Sequence, residues 1–141
     1  MRRVANKVQI EGYLRENNLE LIRNDKQEEV IRGSLVVALD NVRSCRAQFY
    51  VSRFNTLKPG ETTRQESKAY SRLVELLPGN TISISSLMKD QAAMTFDVAK
   101  ESATKVWIIG ALQEYIRKDE KGEVISSTTI KGLSAGIKTE S

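Results

Sequence analysis

Residues 44–52 read SCRAQFYVS, and their side chains alternate between small or apolar types and polar or basic types. Successive side chains of a β-strand point to opposite faces, so this alternation predicts a strand with one face in a core. We predict that the strand runs from Ser44 to Phe54. Its predicted inner face carries Cys45, Ala47, Phe49 and Val51, and its predicted outer face carries Arg46, Gln48, Tyr50 and Ser52.

Two further strands are predicted before this one. From Lys7, one face of the first carries Val8, Ile10, Gly12 and Leu14. The second runs from Val30 to Leu39, with Gly33 in its middle and an inner face of Ile31, Leu35, Val37 and Leu39. A polar turn at residues 23–26 separates the two, because Asn and Asp are typical turn residues. The three strands therefore form a predicted meander.

A helical segment is predicted next, after the turn signal Lys58-Pro59-Gly60. Apolar residues recur at helical spacing between Thr63 and Leu77, namely Ala69, Tyr70, Leu73, Leu76 and Leu77. Two shorter helices are predicted at residues 85–94 and 96–103, the second with Thr95 as its N-cap. The helical insertion therefore covers about residues 58–103.

Two strands joined by a charged loop complete the pattern. In the first, Lys105 to Ile116, the predicted inner residues are Val106, Ile108, Leu112 and Ile116, and the outer ones include Lys105, Trp107, Gln113, Tyr115 and Arg117. The second is the β-branched run from Val124 to Ile130. Five strands with helices between the third and fourth predict a mainly β fold, a five-stranded Greek-key barrel of the oligonucleotide-binding (OB) type, as one domain over residues 1–141.

Composition excludes several kinds of chemistry. The 141 residues include no histidine and a single cysteine, Cys45, so histidine-based catalysis and internal disulfides are excluded. Cys45 has no partner with metal-ligand spacing, and we expect no metal, no cofactor, no catalytic residues and no enzymatic activity. The absence of a long apolar stretch or signal region predicts a cytoplasmic protein with no membrane partner. A net charge of +4 permits binding to a polyanion.

Three segments resemble the bacterial and phage single-stranded DNA-binding protein family. Residues 6–14, NKVQIEGYL, are similar to the first strand of that family, and residues 105–112, KVWIIGAL, with the loop 119–122, are similar to its fourth strand and hairpin. Residues 45–50, CRAQFY, are similar to its third strand, in which a basic residue and an aromatic face the DNA. The resemblance implies an OB fold and a function in DNA replication, recombination or repair. It also implies single-stranded DNA and replication or recombination proteins as partners, and a homo-oligomer.

The sequence departs from the family pattern in three respects. Ser44 and Arg117 stand where the family has tryptophans, and the segment from about Asn55 to Thr104 is longer than the single helix of the family. No acidic tail follows the last strand before Ser141. We expect a phage or mobile-element origin, a location in a bacterial or phage-infected cell, and further sequence after residue 141.

The predicted binding residues are aromatic, basic and amide side chains on the outer faces. Sequence-tolerant binding of single strands needs flat side chains for base stacking and cations along the phosphates. The predicted site consists of Tyr13, Arg15, Arg46, Gln48, Tyr50, Trp107, Tyr115, Arg117, Lys118 and Lys121. Phe49, Tyr70 and Phe96 are predicted to be core residues, whereas Phe54 either caps the barrel or reaches the ligand. The alternative for Trp107 is that it covers the core beneath the helices.

Two other functions fit the same sequence. An OB-fold module that binds proteins and no nucleic acid would use the inserted helices as an interface. A metal-dependent nuclease would need clustered carboxylates, but the densest pair, Glu28-Glu29, is interpreted as a solvated pair. Nothing in the sequence distinguishes RNA from DNA as the ligand.

Overall fold

The computed structural model describes residues 6–91 and 93–139, without the side chains of residues 115, 117 and 126–128. Within these ranges the chain forms six strands and three α-helices, with a short 3₁₀ turn at Pro78–Asn80. The strands are β1 (Val8–Asn17), β2 (Glu20–Arg23), β3 (Glu29–Ala38), β4 (Ser44–Ser52), β5 (Lys105–Lys118) and β6 (Val124–Ile137). The helices are α1 (Lys68–Glu75), α2 (Ile84–Asp90) and α3 (Phe96–Ser102).

Five of the strands close into a barrel. The sheet order is β1-β5-β6-β4-β3, and an additional pairing of β1 with β3 joins its two ends. All of these pairings are antiparallel except that of β4 with β6. β2 pairs with β3 directly after β1 does, so β1 and β2 act as one bent first strand. This is the OB-type Greek-key order with the helices between its third and fourth strands, and the predicted fold is confirmed.

β2 was not predicted, because its four residues, ELIR, have no clear alternation. The bend between β1 and β2 depends on Gly33 of β3. Gly33 has a φ of +126°, and a Cβ at this position would lie 2.0 Å from the carbonyl oxygen of Asn18. Only glycine tolerates both conditions, so Gly33 allows the first strand to bend tightly across β3.

The barrel interior confirms most of the predicted inner faces. One continuous core contains Leu14, Ile31, Leu35, Val37, Ala47, Phe49, Val106, Ile108, Ile130 and Ala135. α1 adds Tyr70 and Leu73 to the same core, and its C-cap residue, Leu76, joins them. This helix therefore belongs to the barrel domain, and burial of its apolar stripe holds it there.

Three predicted inner residues are in fact exposed: Leu39 at 39%, Leu112 at 53% and Ile116 at 71%. Leu39 follows the last residue of β3. In the described part of the chain, β1 pairs with β5 no further than Gly110. The β5–β6 hairpin continues to pair beyond this point, up to Lys118 and Val124. Residues 112–129 thus form a two-stranded arm, in which the described side chains of Leu112 and Ile116 have no core to face.

The helices also differ in extent from the prediction. α1 begins at Lys68 instead of Thr63, because Phe54 and Glu66 form a β-bridge and the Ser67 hydroxyl caps the helix by accepting from the Tyr70 amide. α3 begins after Thr95, as predicted, and α2 and α3 pack a small cluster against Ala38 at the end of β3. No helix within residues 6–91 and 93–139 is both long enough and apolar enough to cross a membrane.

Candidate nucleic-acid interface

The pairing of β3 with β4 brings the outward side chains of both strands together. Tyr50 lies opposite Arg32, Gln48 lies opposite Ser34, and Arg46 lies opposite Val36. On the other side of β4, Gln48 is paired with Lys131 of β6. We call this surface the β3–β4–β6 face; its members are Arg32, Ser34, Arg46, Gln48, Tyr50 and Lys131. Three predicted site residues, on β4, therefore share one surface with three residues from neighbouring strands.

Two clefts lie side by side on this face, and Gln48 contributes to both. One, of about 340 Å³, is lined by Asn18, Arg32, Gly33, Ser34, Gln48 and Phe49. The other, of about 210 Å³, is lined by Gln48, Phe49, Tyr50, Gln113, Lys131 and Gly132. Gly132 is required here, because a Cβ on it would lie 2.2 Å from the Phe49 ring. The glycine lets β6 pass close to this ring beside the second cleft.

Tyr50 is the exposed aromatic of this face. It is 62% exposed, whereas the neighbouring Phe49 is 4% exposed and belongs to the core. Tyrosine is amphipathic and ordinarily buries much of its ring, so an exposed ring that lines a cleft costs buried apolar area without adding to the core. Such a ring is available for stacking against a flat ligand.

The cations of the face differ in their partners. Arg32 donates from Nε to Glu20 at 2.7 Å, and both side chains of this pair are 55% exposed. Among the described residues, Arg46 and Lys131 form no ion pair, and both are exposed. A polyanion can therefore approach these two cations without first displacing a carboxylate. Contacts of this kind are electrostatic and weaken with added salt.

Arg15 is held away from the β3–β4–β6 face. Its guanidinium lies 5.6 Å from the centre of the Phe96 ring in α3, and its Nη2 donates to the Asn41 carbonyl at 3.5 Å. Its Nε is buried and has no hydrogen-bond partner among the described residues. Phe96 itself is half-buried against the α2–α3 cluster, so its predicted core role holds only in part.

The loop that Arg15 contacts is a compact turn between β3 and β4. The Asp40 carboxylate accepts from the backbone amides of Val42 and Arg43, at 2.9 and 2.6 Å. These bonds, led by the one from the Arg43 amide, lower the pKa of Asp40 to about 2. The carboxylate thus stays ionised at neutral pH and holds the turn together through its bonds to Val42 and Arg43.

Tyr13 and Trp107 lie on a different part of the barrel. Tyr13 is paired with Lys105, and Trp107 is paired with Glu11 on one side and Gly136 on the other. Both side chains are half-buried on the outer surface of β1 and β5. β6 separates β5 from β4 in the closed sheet. The structure therefore does not bring Trp107 together with Arg46 and Tyr50, contrary to the expectation of a single binding surface.

The remaining predicted residues belong to the arm. Lys118 ends β5, and Lys121 lies in the hairpin loop, where its backbone amide donates to the Asp119 carboxylate at 2.9 Å. Both lysines are exposed. The side chains of Tyr115 and Arg117 lie outside the described part of the structure, so their predicted roles stay predictions.

A network of charges joins the start of β3 to the segment before α1. Glu29 accepts from Arg53 at 2.9 Å and from the Tyr70 hydroxyl at 3.2 Å. Burial, together with the bond to Glu29, raises the pKa of Tyr70. Glu28 pairs with Arg64 at 3.4 Å, so both acids of the Glu28-Glu29 pair have charged partners and remain partly exposed.

Phe54 has a position that the sequence left undecided. Its ring lies 5.1 Å from the Arg53 guanidinium carbon and 5.4 Å from that of Arg64. The ring is half-buried, and its backbone is bridged to Glu66. Phe54 thus helps to hold the segment between β4 and α1 in place.

Three residues of the β3–β4–β6 face were not predicted from the sequence: Arg32, Ser34 and Lys131. Arg32 alternates with Ile31 and Gly33, so its outward direction was readable, but its position beside Tyr50 depends on the register of β3 with β4. Lys131 follows the predicted end of the last strand. The glycine and polar residues after Ile130 concealed the continuation of β6 to Ile137.

No group of three or more histidine, cysteine or acidic residues within the described ranges could hold a metal ion. No family model matches the sequence, and no curated protein matches it either. Among solved structures, the chain is similar to one described as Plasmodium falciparum SSB complex with ssDNA. That similarity has a TM-score of 0.43 and 12% sequence identity, and it covers 99% of each chain.

Proposed function

We propose that this protein binds single-stranded DNA on the β3–β4–β6 face and that it does so without catalysis. The observation that carries the proposal is the exposed ring of Tyr50 in a cleft that Lys131 also lines, with Arg46 on the same strand and both cations unpaired among the described residues. The corresponding strands of OB folds are those that bind oligonucleotides.

Each kind of residue on the face has a part in this proposal. The Tyr50 ring stacks on one exposed base, which is sequence-tolerant because every base has a flat face. Arg46 and Lys131 contact phosphates of the same strand. Gln48 and Arg32 donate hydrogen bonds to base edges or phosphates in the clefts. Binding of this kind suits processes that expose single strands, namely DNA replication, recombination and repair.

The arm extends the proposed interface beyond the barrel. Its loop corresponds to the one between the fourth and fifth strands of OB folds, which also contacts ligands in that class. Lys118 and Lys121 supply exposed positive charge there. We infer that the arm contacts phosphates at one end of the bound strand.

The decisive experiment compares fluorescently labelled oligo-dT with a duplex of the same length by anisotropy. We expect tighter binding of oligo-dT, with an affinity that falls steeply as salt rises through counterion release. A parallel titration with oligo-U measures the preference between DNA and RNA. Equal affinity for the single strand and the duplex contradicts the proposal.

One observation favours a second function, contact with another protein. Leu112, Ile116 and Val124 are 53%, 71% and 65% exposed, and all three belong to the arm. Exposed apolar groups that cluster in this way are typical of protein contacts. This function predicts a folded protein that binds no oligonucleotide at moderate salt, so the same titration separates the two.

A further inference from the structure

A second outward surface combines aromatic and basic side chains, and it lies on β1 and β5. In the register of these strands, Tyr13 is paired with Lys105, and Glu11 is paired with Trp107. β6 runs alongside β5, with Gly136 opposite Trp107 and with Lys138 directly after its last residue. We call this surface the β1–β5 face. It is distinct from the β3–β4–β6 face, since β6 lies between β5 and β4 in the barrel.

The Trp107 indole packs closely on β6 at Gly136, where a larger residue would clash with the ring. A Cβ on Gly136 would lie 2.7 Å from the indole ring. The guanidinium carbon of Arg72, an exposed residue of α1, lies 5.6 Å from the centre of the same ring. The indole is half-buried, so part of it remains accessible beside a cation.

Tyr13 lines a cleft on this face. The cleft has a volume of about 500 Å³ and is lined by Tyr13, Lys100, Glu101, Ala103, Lys105 and Lys138. The Lys105 ammonium lies 5.3 Å from the centre of the Tyr13 ring. Three lysines and an aromatic ring thus surround a space large enough for part of a nucleotide.

Nearby carboxylates moderate the positive charge of the face. Lys138 is paired with Glu11, Lys100 lies 3.5 Å from Asp97, and Glu101 lines the cleft. A polyanion gains less here than beside Arg46 and Lys131, because it competes with these acids. Contacts with DNA on this face are therefore expected to be weaker. A strand that is already bound elsewhere on the protein can still make these contacts, because the tether gives it a high effective concentration near this face.

We propose that the β1–β5 face is a second contact surface for the same single strand, which passes from the β3–β4–β6 face around the barrel. The proposal rests on the proposed function. β6 connects the two faces, since Lys131 lies on one and Lys138 on the other, about 20 Å apart along the strand. In the second face, Trp107 and Tyr13 offer rings to bases, and Arg72, Lys105 and Lys138 contact phosphates.

The chain contains a single tryptophan, so its fluorescence reports on this face alone. Binding is measured independently by anisotropy of labelled oligo-dT, with a short strand of about 5 nucleotides and a long one of about 16, the range of OB-fold site sizes. We expect the long strand to quench Trp107 and the short strand to bind without quenching it. Binding of the long strand with unchanged tryptophan emission overturns the inference and leaves the proposed function intact.

Two double variants test whether the lysines of the β1–β5 face contact the long strand. Lys105→Gln with Lys138→Gln should reduce the salt slope for the long strand by about 1.4 units, at 0.7 per phosphate contact, and should leave short-strand binding unchanged. The matched control, Lys58→Gln with Lys89→Gln, removes the same charge from exposed positions outside both faces and should change neither. Equal effects of the two double variants on the long strand would overturn the second surface.

A third variant separates this inference from the proposed function. Quenching by the short strand that persists in Tyr50→Ala would place the primary contact on the β1–β5 face and would contradict the proposed function. Failure of both strands to bind would overturn both proposals together. Thermal melting of each variant verifies that the fold is retained.

Discussion

The two faces of β4 have opposite environments although they share one backbone. Phe49 points into the barrel and is 4% exposed, whereas Tyr50, the next residue, points outward and is 62% exposed. Phe49 contacts Gly132 and the core, and Tyr50 borders a cleft with Gln48 and Lys131. The difference teaches that strand parity alone assigns one of two adjacent aromatics of similar size to the core and the other to the surface, where it is available for the proposed binding.

The largest expected effect is on the inner side of this comparison. Phe49→Ala should destabilise the fold by about 3–5 kcal/mol, because the removed ring leaves a cavity that the closed barrel cannot easily fill. Chemical denaturation measures the free energy of unfolding. Tyr50→Ala is the matched control, with little change expected. If Phe49→Ala is stable and Tyr50→Ala unfolds, the two faces of β4 are assigned the wrong way round.

The next effect sharpens the comparison from the outer side. Tyr50→Ala should weaken binding of oligo-dT by about 1–3 kcal/mol, because one base no longer has a ring on which to stack. Anisotropy titration of the wild-type protein and the variant gives the ratio of dissociation constants. Tyr50→Phe should retain most of the affinity, because it keeps the ring. An equal weakening in both variants would mean that the hydroxyl and not the ring makes the contact.

The smallest effect concerns the outward cations. Arg46→Ala and Lys131→Ala should each flatten the dependence of affinity on salt by roughly 0.7 to 1 unit, because each variant has one fewer cation to neutralise a phosphate. Lys89→Ala, on the exposed side of α2, serves as the control and should leave the slope unchanged. Titrations at several salt concentrations give the slopes. A slope that stays the same in both test variants would remove these two cations from the interface.

The β5–β6 hairpin repeats the comparison on a larger scale. Ile108 and Ile116 lie on the same side of β5, but Ile108 is buried within the barrel and Ile116 on the arm is 71% exposed. Both have the same parity, so the sequence pattern alone assigned both to the core. The alternation specifies which side of the strand a residue is on, whereas the end of the pairing with β1 decides whether a core exists on that side.

Much of the fold was predictable from local patterns. Period-2 alternation identified the inner faces of β1, β3 and β4, and the turn signals and the Thr95 cap located several element boundaries. The same alternation placed Arg46, Gln48 and Tyr50 on the outside of β4. These features depend on neighbouring residues and on strand geometry, which the sequence contains directly.

The partners of those outward residues were decided by the tertiary structure. Arg32 and Lys131 join Tyr50 and Gln48 through the registers of β3, β4 and β6, which bring distant segments of the chain together. Closure of the barrel likewise separates Trp107 from Tyr50, though both were predicted to face outward. The alternation along one strand does not specify where a residue lies around a closed barrel. The sequence therefore determined which residues face outward. The long-range strand pairing determined which of those residues lie together.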